Sequence, residues 1–294
     1  MHIHHPKNLS AFLLANGAGP RKHLSQNFLI DGNVINKILS LAAVEPQLDC
    51  VIEIGPGPGA LTQQLRKVAA HLTTIETDPL FAKEIERFNP DLILEEDVLK
   101  VNFIELVEKI QTEVKYKVDI DPITSKLHII SNLPYHLSTQ ILTQLLPLAP
   151  SIDSLTLMVQ DEFAQRLIGS NIGTKLHCPL AVMRSLYAEC TGSFLVKPTS
   201  FYPRPKVRSR VLHLKLKEPS LLPLHLASKF MAFCHQVFDR RRKMLRSTLV
   251  TYRAQANERE FEKMLEQFGT KRPEALCAEE LATIFLCLER ASIR

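Results

Sequence analysis

Eight residues constrain this chain more than any other stretch: Glu53-Ile54-Gly55-Pro56-Gly57-Pro58-Gly59-Ala60. They follow an apolar run over 50–54 and lead into a helical pattern over 60–68. Glycines at such a place admit positive φ and let the backbone approach a ligand closely. A turn of this kind, between a strand and a helix, is the corner at which an open α/β sheet holds a nucleoside. The neighbouring sequence fits such a sheet. Apolar runs predict strands over 72–76, 92–94, 127–131 and 155–160, with helices over 80–88 and from the fourth strand to Leu145. Strands alternating with helices imply parallel βαβ units and a doubly wound α/β fold.

Beyond residue 160 the pattern changes. Leu212, Leu214 and Leu216 alternate with His213, Lys215 and Lys217, which predicts a half-buried edge strand with a basic outer face. After Glu218-Pro219 the strand signals stop. Phe230, Cys234, Val237, Phe238, Leu245 and Leu249 fall near helical spacing, and further helices are predicted over 261–268, stopped at Gly269, and over 278–288. Two domains are expected: residues 1–217, carrying the sheet, and residues 218–294, small and all-helical.

Composition sets the class. With 45% hydrophobic and 23% charged residues the chain is an ordinary globular one, not a disordered or low-complexity sequence. No apolar run reaches the roughly 18 residues a membrane span needs. The six cysteines, Cys50, Cys178, Cys190, Cys234, Cys277 and Cys287, form no Cys-x-x-Cys pair. They read as reduced thiols of a cytoplasmic protein, and no set of four clustered ligands suggests zinc. The first residues read as a short helix ending at Gly17 rather than an export signal, and His2, His4 and His5 as part of a mobile terminus rather than a metal site. Nothing in the apolar pattern demands a dimer, so a monomer is expected.

Two ligands compete for the glycine turn. Gly55, Gly57 and Ala60 satisfy the pattern of a dinucleotide site, and Glu76, 21 residues after Gly55, suits a pair of hydrogen bonds to ribose hydroxyls. Glu53, however, stands just before the turn. A carboxylate there repels a pyrophosphate and attracts an ammonium. S-adenosylmethionine carries that ammonium and no phosphate, and is favoured over NAD. Asp97, after the third strand, is placed to accept the adenine amino group of such a cofactor, although a solvated acidic turn reads equally well.

The fourth strand closes on Ser131-Asn132-Leu133-Pro134-Tyr135. The exocyclic nitrogen of adenine is a poor nucleophile, because its lone pair is delocalised into the ring. Two acceptors aimed at that amine draw it toward a tetrahedral, localised form. The Asn132 side-chain carbonyl and the Leu133 backbone carbonyl are candidates. Pro134 stiffens the turn and donates no N–H. Tyr135 offers a face on which an extruded base can stack. Catalysis of this kind is positioning and electrostatic preorganisation, with no strong general base.

With these motifs together, the chain resembles the bacterial small-subunit ribosomal RNA adenine N6-dimethyltransferases, the kasugamycin-sensitivity family. The likeness runs from about Gly19 to Leu288. It includes Ser25-Gln26-Asn27-Phe28-Leu29, the glycine turn, Ile75-Glu76-Thr77-Asp78, Asp97-Val98, the segment from Ser131 to Thr139, Met158-Val159-Gln160-Asp161-Glu162, Phe201-Tyr202-Pro203-Arg204-Pro205-Lys206-Val207, and Phe238 through Leu249. The resemblance implies a class I S-adenosylmethionine-dependent methyltransferase sheet. It implies cofactor contacts from Asn27, Leu29, Gly55, Glu76, Asp97 and Asn132, beside Glu53 and Gly57 read from the turn itself. It implies Asn132 to Tyr135 as the methyl-transfer motif and Phe201 flanking the target base. The implied substrate is two adjacent adenosines in the loop of the 3′-terminal hairpin of small-subunit rRNA, each methylated twice. Two places depart from the family pattern: Arg204 replaces a further proline, and Leu176-His177-Cys178-Pro179-Leu180 replaces a Tyr-Gly-x-Leu segment.

Charge supplies a binding surface. Between Phe201 and Val250 there are twelve Lys or Arg against two acids, whereas the whole chain carries +5. The peak is Arg240-Arg241-Arg242-Lys243 with Arg246, and Lys206 lies upstream. At helical spacing Arg240, Lys243 and Arg246 share one face, suited to RNA phosphates. Other readings stay open. A large-subunit rRNA dimethyltransferase shares the Gln-Asn-Phe start, but Leu133, the Gly55-Pro56-Gly57 form and the segment from Phe201 to Val207 argue against it. An assembly factor that binds the pre-30S particle, with methylation secondary, is compatible with the same residues.

Overall fold

The structure, a computed structural model, describes residues 9, 11–13, 27–117, 125–149, 151–169, 172–217, 222–255 and 257–291. The expectations for Gly17, the N-terminal histidines, Ser25, Gln26 and Glu218-Pro219 lie outside these residues. Leu9 and Ala11 to Leu13, from the short N-terminal helix, are helical.

The elements run β1 (Phe28–Leu29), α1 (Gly32–Ala42), β2 (Cys50–Ile54), α2 (Thr62–Val68), β3 (His71–Glu76), α3 (Pro79–Ile85), β4 (Leu92–Glu95), α4 (Phe103–Lys117), β5 (Leu127–Asn132), α5 (Ser138–Leu145), β6 (Ser154–Gln160) and α6 (Asp161–Ile168). They continue through α7 (Pro179–Tyr187), β7 (Ala188–Val196), β8 (Phe201–Tyr202), β9 (Ser209–Leu216), α8 (Ala227–Asp239), α9 (Leu245–Thr248), α10 (Glu258–Phe268) and α11 (Ala278–Ala291).

The chain forms two compact units: residues 1–164 with 190–216, and residues 165–189 with 217–294. The first holds the sheet, of order β4-β3-β2-β5-β6-β9-β7, in which β2 to β6 are parallel and β9 is antiparallel to β6. This is the doubly wound α/β architecture read from the sequence. Val51, Ile52, Ile129, Ile130, Leu155 and Leu157 are wholly enclosed, as expected of parallel strands covered on both faces, which are mostly apolar. Helix α1 contributes Val34, Ile35, Ile38 and Ala42 to the same core, one apolar stripe at helical spacing. Asp31 caps its start, accepting from the Asn33 and Val34 N–H groups at 3.0 and 3.4 Å. From β2 the chain winds outward through β3 to β4, then returns to β5 and winds the other way to β6. The adjacent strands β2 and β5 therefore form the switch point, and a crevice opens beyond their carboxyl ends.

Three expectations need correction. The predicted edge strand, β9, lies inside the sheet, between β6 and β7. His213 bonds to the Thr156 hydroxyl at 2.8 Å, and the strand's exposed residue is Lys215. The true edge strand, β7, was not visible: Glu189, Thr191 and Ser193 face solvent, and Cys190 and Gly192 alternate with them, so no apolar period exists.

The second correction concerns the boundary near residue 218. Residues 165–189 belong with the C-terminal unit. There α7 packs on α8 and α11, and the Arg184 guanidinium spans the carbonyls of Leu167, Ile168 and Ala188 at 3.2 to 3.4 Å. Phe285 of α11 packs against Phe230 and Phe233 of α8, with ring centroids 5.4 and 5.6 Å apart.

The third correction is that no continuous helix carries the basic run. Helix α8 ends at Asp239, and Arg240 to Lys243 form a turn closed by the Lys243 N–H on the Arg240 carbonyl at 2.8 Å. The Arg241 guanidinium bonds to Glu274 at 2.9 Å and to the Thr174 carbonyl at 3.1 Å. The Leu245 and Arg246 N–H groups go to the carbonyls of Lys271 and Gly269. These external acceptors replace the i−4 carbonyls of a helix, so Arg240, Lys243 and Arg246 do not share a helical face.

Candidate active site

Each strand end at the crevice delivers one polar group. Strand β2 ends in Glu53 and Ile54, and the turn that follows has Gly55, Gly57 and Gly59 at φ +65, +53 and +88. Glycine is required at two of these on contact grounds as well. A Cβ on Gly57 would meet two carbons of the Phe28 ring at 3.2 Å, and one on Gly59 would strike the Phe88 ring. The backbone of the turn is therefore pressed against aromatic rings, with the Gly55, Gly57 and Gly59 N–H groups held by the Ile75 carbonyl, Glu76 and the Pro56 carbonyl.

Glu53 is 1% exposed, and its Oε2 has no hydrogen-bond partner among the described residues. Burial pushes its carboxyl up to about 8. Thr62 offsets part of that shift, and the Glu76 carboxylate adds to it. An enclosed carboxyl oxygen without a donor, on the wall of a crevice, suits a cation.

Glu76, ending β3, is the opposite case. Its Oε2 accepts from the Gly57 N–H at 3.0 Å and its Oε1 from the Asp78 N–H at 2.9 Å. Burial raises its pKa, and these two bonds pull it back down. The carboxylate is thereby fixed at the crevice, where it can accept further hydroxyls. Asp97 caps the short 3-10 helix Val98–Lys100, its Oδ1 accepting from the Leu99 N–H at 3.0 Å. Asp97 also lines the crevice.

Strand β5 brings in the last group. The Ser131 hydroxyl donates to the Ile54 carbonyl at 2.6 Å and locks β5 to β2 just before the turn. Asn132 Nδ2 donates to the Asn27 carbonyl at 3.0 Å, which sets the orientation of the amide and leaves its Oδ1 as the acceptor. The Leu133 N–H is taken by the Met158 carbonyl at 3.1 Å. Pro134 and Tyr135 follow, and the Tyr135 hydroxyl lies 2.6 Å from the Ser209 Oγ.

Asn27, Leu29, Glu53, Gly55, Gly57, Glu76, Asp97 and the run from Asn132 to Tyr135 line one crevice. Phe201 does not join them. It is 1% exposed and packs among Leu29, Val34, Ile38 and Val211. The two-residue pairing of β1 with β8 sets Leu29 opposite Phe201 and Phe28 opposite Tyr202. Successive strand residues point to opposite faces, so Phe201 turns into the core, and Tyr202 packs toward Phe28 and Phe81 instead. Phe28, Phe81 and His136 also line the crevice, a role that no spacing in the sequence assigns them. The aromatic pair belongs to a cluster that only the fold assembles. Of the basic candidates, Lys206, Arg240, Arg242, Lys243 and Arg246 are exposed, and Arg241 is half-buried in its contacts with Glu274 and Thr174.

The chain matches the model of the family described as ribosomal RNA adenine dimethylase over residues 18–284. It is 36% identical over 289 residues, 97% of each chain, to the ribosomal RNA small subunit methyltransferase A of Protochlamydia amoebophila. It is 37% identical over 245 residues, 83% of each chain, to the protein of the same name from Chlamydia caviae. Among solved structures, a dimethyladenosine transferase from Plasmodium falciparum superposes with a TM-score of 0.68 at 22% identity, covering 90% of this chain and 98% of that one. The 23S rRNA methyltransferase ErmE superposes with a TM-score of 0.58 at 23% identity, covering 90% and 100%. These two show the shared fold, while the sequence matches carry the assignment: the chain belongs to the ribosomal RNA adenine dimethylase family.

Proposed function

We propose that this enzyme dimethylates the N6 nitrogens of two adjacent adenosines in the loop of the 3′-terminal hairpin of small-subunit rRNA. It acts as a cytoplasmic monomer on a partly assembled pre-30S particle. The observation that carries the reading is the Asn132 amide. Its donor end is occupied by Asn27, which leaves its acceptor end free for the target amine, and the residue lines the crevice that also holds Glu53, Glu76 and Asp97.

The methyl donor is S-adenosylmethionine, which when bound supplies an electrophilic sulfonium methyl. The residues fit it. Glu53 offers an orphaned carboxyl oxygen to the ammonium, Glu76 an anchored carboxylate to the ribose hydroxyls, and Asp97 an acceptor for the adenine amine. Gly55 and Gly57 admit the cofactor against bare backbone, and Asn27 and Leu29 close the near wall. On the substrate side, Asn132 Oδ1 and the Leu133 carbonyl accept from the target amine and localise its lone pair. Pro134 holds the turn, and the Tyr135 ring supports the base. The amine proton leaves to solvent after attack. RNA affinity comes from exposed cations, Lys206 on the first unit and Arg240, Arg242, Lys243 and Arg246 on the second. Arg241 instead holds the turn that presents its neighbours.

Purified protein is expected to transfer labelled methyl groups from S-adenosylmethionine to small-subunit particles lacking N6-dimethyladenosine, with mass spectrometry of the terminal hairpin showing four added methyls. Unmodified adenosines after prolonged incubation with competent particles would overturn the reading. Neutralising Arg240, Arg242 and Lys243 together is expected to weaken particle binding and flatten its salt dependence. Each lost phosphate contact lowers the slope by about 0.7 to 0.9. Cofactor affinity, read by calorimetry, is expected to stay unchanged.

A further inference from the structure

Tyr135 sits on a single 3-10 turn, Tyr135–Leu137, and is only half-buried. A ring on so short a turn has several rotamers open to it. A stacking surface that wanders places the amine badly, and misplacements of about 1 Å can cost about 100-fold in rate. The far end of the ring is not free, however. Its hydroxyl lies 2.6 Å from the Ser209 Oγ.

Ser209 is the first residue of β9, 0% exposed, and in register with Gln160 at the end of β6. Its neighbours on both sides are clamped to Asp161. Arg210 Nε lies 2.8 Å from Asp161 Oδ1, the Arg208 guanidinium 3.5 Å from Oδ2, and the Asp161 N–H donates to the Arg208 carbonyl at 3.0 Å. The serine hydroxyl therefore hangs from a strand end that is fixed by sheet pairing and by two ion pairs. Burial pushes the Tyr135 phenol above its ordinary range, with the Ser209 bond opposing the shift, so the phenol stays neutral at physiological pH.

We infer that Ser209 is a positioning residue for methyl transfer: it pins the Tyr135 hydroxyl to β9 and so holds the ring in place as the surface on which the target adenine stacks. The inference rests on the stacking role proposed for Tyr135. Ser209 touches neither cofactor nor base; it acts through the tyrosine. A fully enclosed serine hydroxyl needs a partner, and here the partner belongs to the methyl-transfer motif.

The test compares Ser209→Ala, Tyr135→Phe, the double variant and Ser209→Thr in the full-length protein. Single-turnover methyl transfer to small-subunit particles gives the rate, calorimetry the S-adenosylmethionine affinity, and NMR of ring-labelled tyrosine the order of Tyr135, whose signals the Tyr135→Phe variant identifies. Ser209→Ala and Tyr135→Phe are each expected to slow transfer roughly 10- to 100-fold, with cofactor affinity unchanged. The double variant is expected to be no slower than the slower single one, because both remove one bond. Ser209→Thr keeps the hydroxyl and is expected to retain most of the rate. In Ser209→Ala the Tyr135 signals are expected to shift and broaden. Should Ser209→Ala fail to fold, Tyr135→Phe removes the same bond from the other side and decides the question with the wild type. Losses that multiply in the double variant, or unchanged rate and tyrosine signals in the singles, would overturn the inference. A wild-type protein that methylates no adenosine would instead overturn the function proposed above, and the tyrosine signals would still decide whether Ser209 holds the ring.

Discussion

Replacing Glu53 with Gln is expected to weaken S-adenosylmethionine binding roughly 10- to 100-fold and, in the same protein, to stabilise the ligand-free fold at alkaline pH. The two effects have one origin. In the absence of a cation, the Glu53 carboxyl is enclosed with an unpartnered oxygen, and burial raises its pKa from 4.5 to about 8. A carboxyl whose folded pKa lies above its unfolded one binds its proton more tightly in the native state. Its contribution to stability is therefore complete below about 4.5 and is lost as pH rises through about 8. Thermal unfolding of the ligand-free wild type should show that decline, amounting to a few kcal/mol. The Gln variant, which cannot ionise, should show a flatter profile. Burial also raises the Glu76 pKa, a contribution of the same sign that the variant keeps, whereas His177 and His213, whose pKa values burial lowers, contribute with the opposite sign.

Binding runs the other way. To pair with the ammonium, Glu53 must give up its proton, so affinity for the cofactor is expected to rise from pH 6 toward pH 8 in the wild type. The Gln variant should lose the part of that slope that Glu53 supplies. A charge-assisted hydrogen bond contributes about 1.5 to 3 kcal/mol, which sets the expected loss of affinity. Calorimetry across this range checks the prediction, and equal slopes in the two proteins would reassign the ammonium to another group.

The part of the molecule that makes this prediction possible was legible in the sequence for a specific reason. Strands β2, β3, β5 and β6 are parallel and buried along nearly their whole length, so they appear as largely apolar runs, and each crevice carboxylate stands at or near the end of a parallel strand. Cys50–Ile54 matched its predicted bounds, and Glu53, Glu76, Asp97 and Asn132 converge because parallel strands bring all their carboxyl ends to one edge. What was not legible depends on pairing rather than on period. Strands β1 and β8 are two residues each, too short for any alternation, yet their register decides that Phe201 is core and not a wall of the base pocket. Edge strand β7 is half solvent-exposed and lacks an apolar rhythm, so the sequence alone points to β9 as the edge. The basic run kept helical spacing on paper, but Arg241 is drawn to Glu274 and Thr174, and the backbone turns there instead. Ser209 gave no signal at all; its meaning comes from a partner 74 residues away.

The amide at the end of β5 should be the most sensitive position of all. Asn132→Ala removes the acceptor that localises the target lone pair and also the donor that holds the Asn27 carbonyl at 3.0 Å. Removing one preorganised hydrogen-bonding group from a site of this kind costs about 100- to 1000-fold in rate. With Asn27 released as well, the loss in single-turnover methyl transfer should reach the upper end of that range, accompanied by a smaller loss of cofactor affinity. Asn132→Asp separates the two roles. The ionised aspartate keeps an acceptor toward the adenine but sets a second carboxylate oxygen against the Asn27 carbonyl, two acceptors with no proton between them. That repulsion raises the carboxyl's pKa. Once protonated, the same carboxyl donates its O–H to Asn27 and keeps its carbonyl toward the base, which reproduces the hydrogen-bonding pattern of the native amide. The Asn132→Asp enzyme should therefore be slow at pH 8 and recover as pH falls toward 5, relative to a wild type measured on the same particles. A variant that is fastest at alkaline pH would mean that position 132 acts as a base toward the amine proton, and the lone-pair account of this site would give way to general-base catalysis.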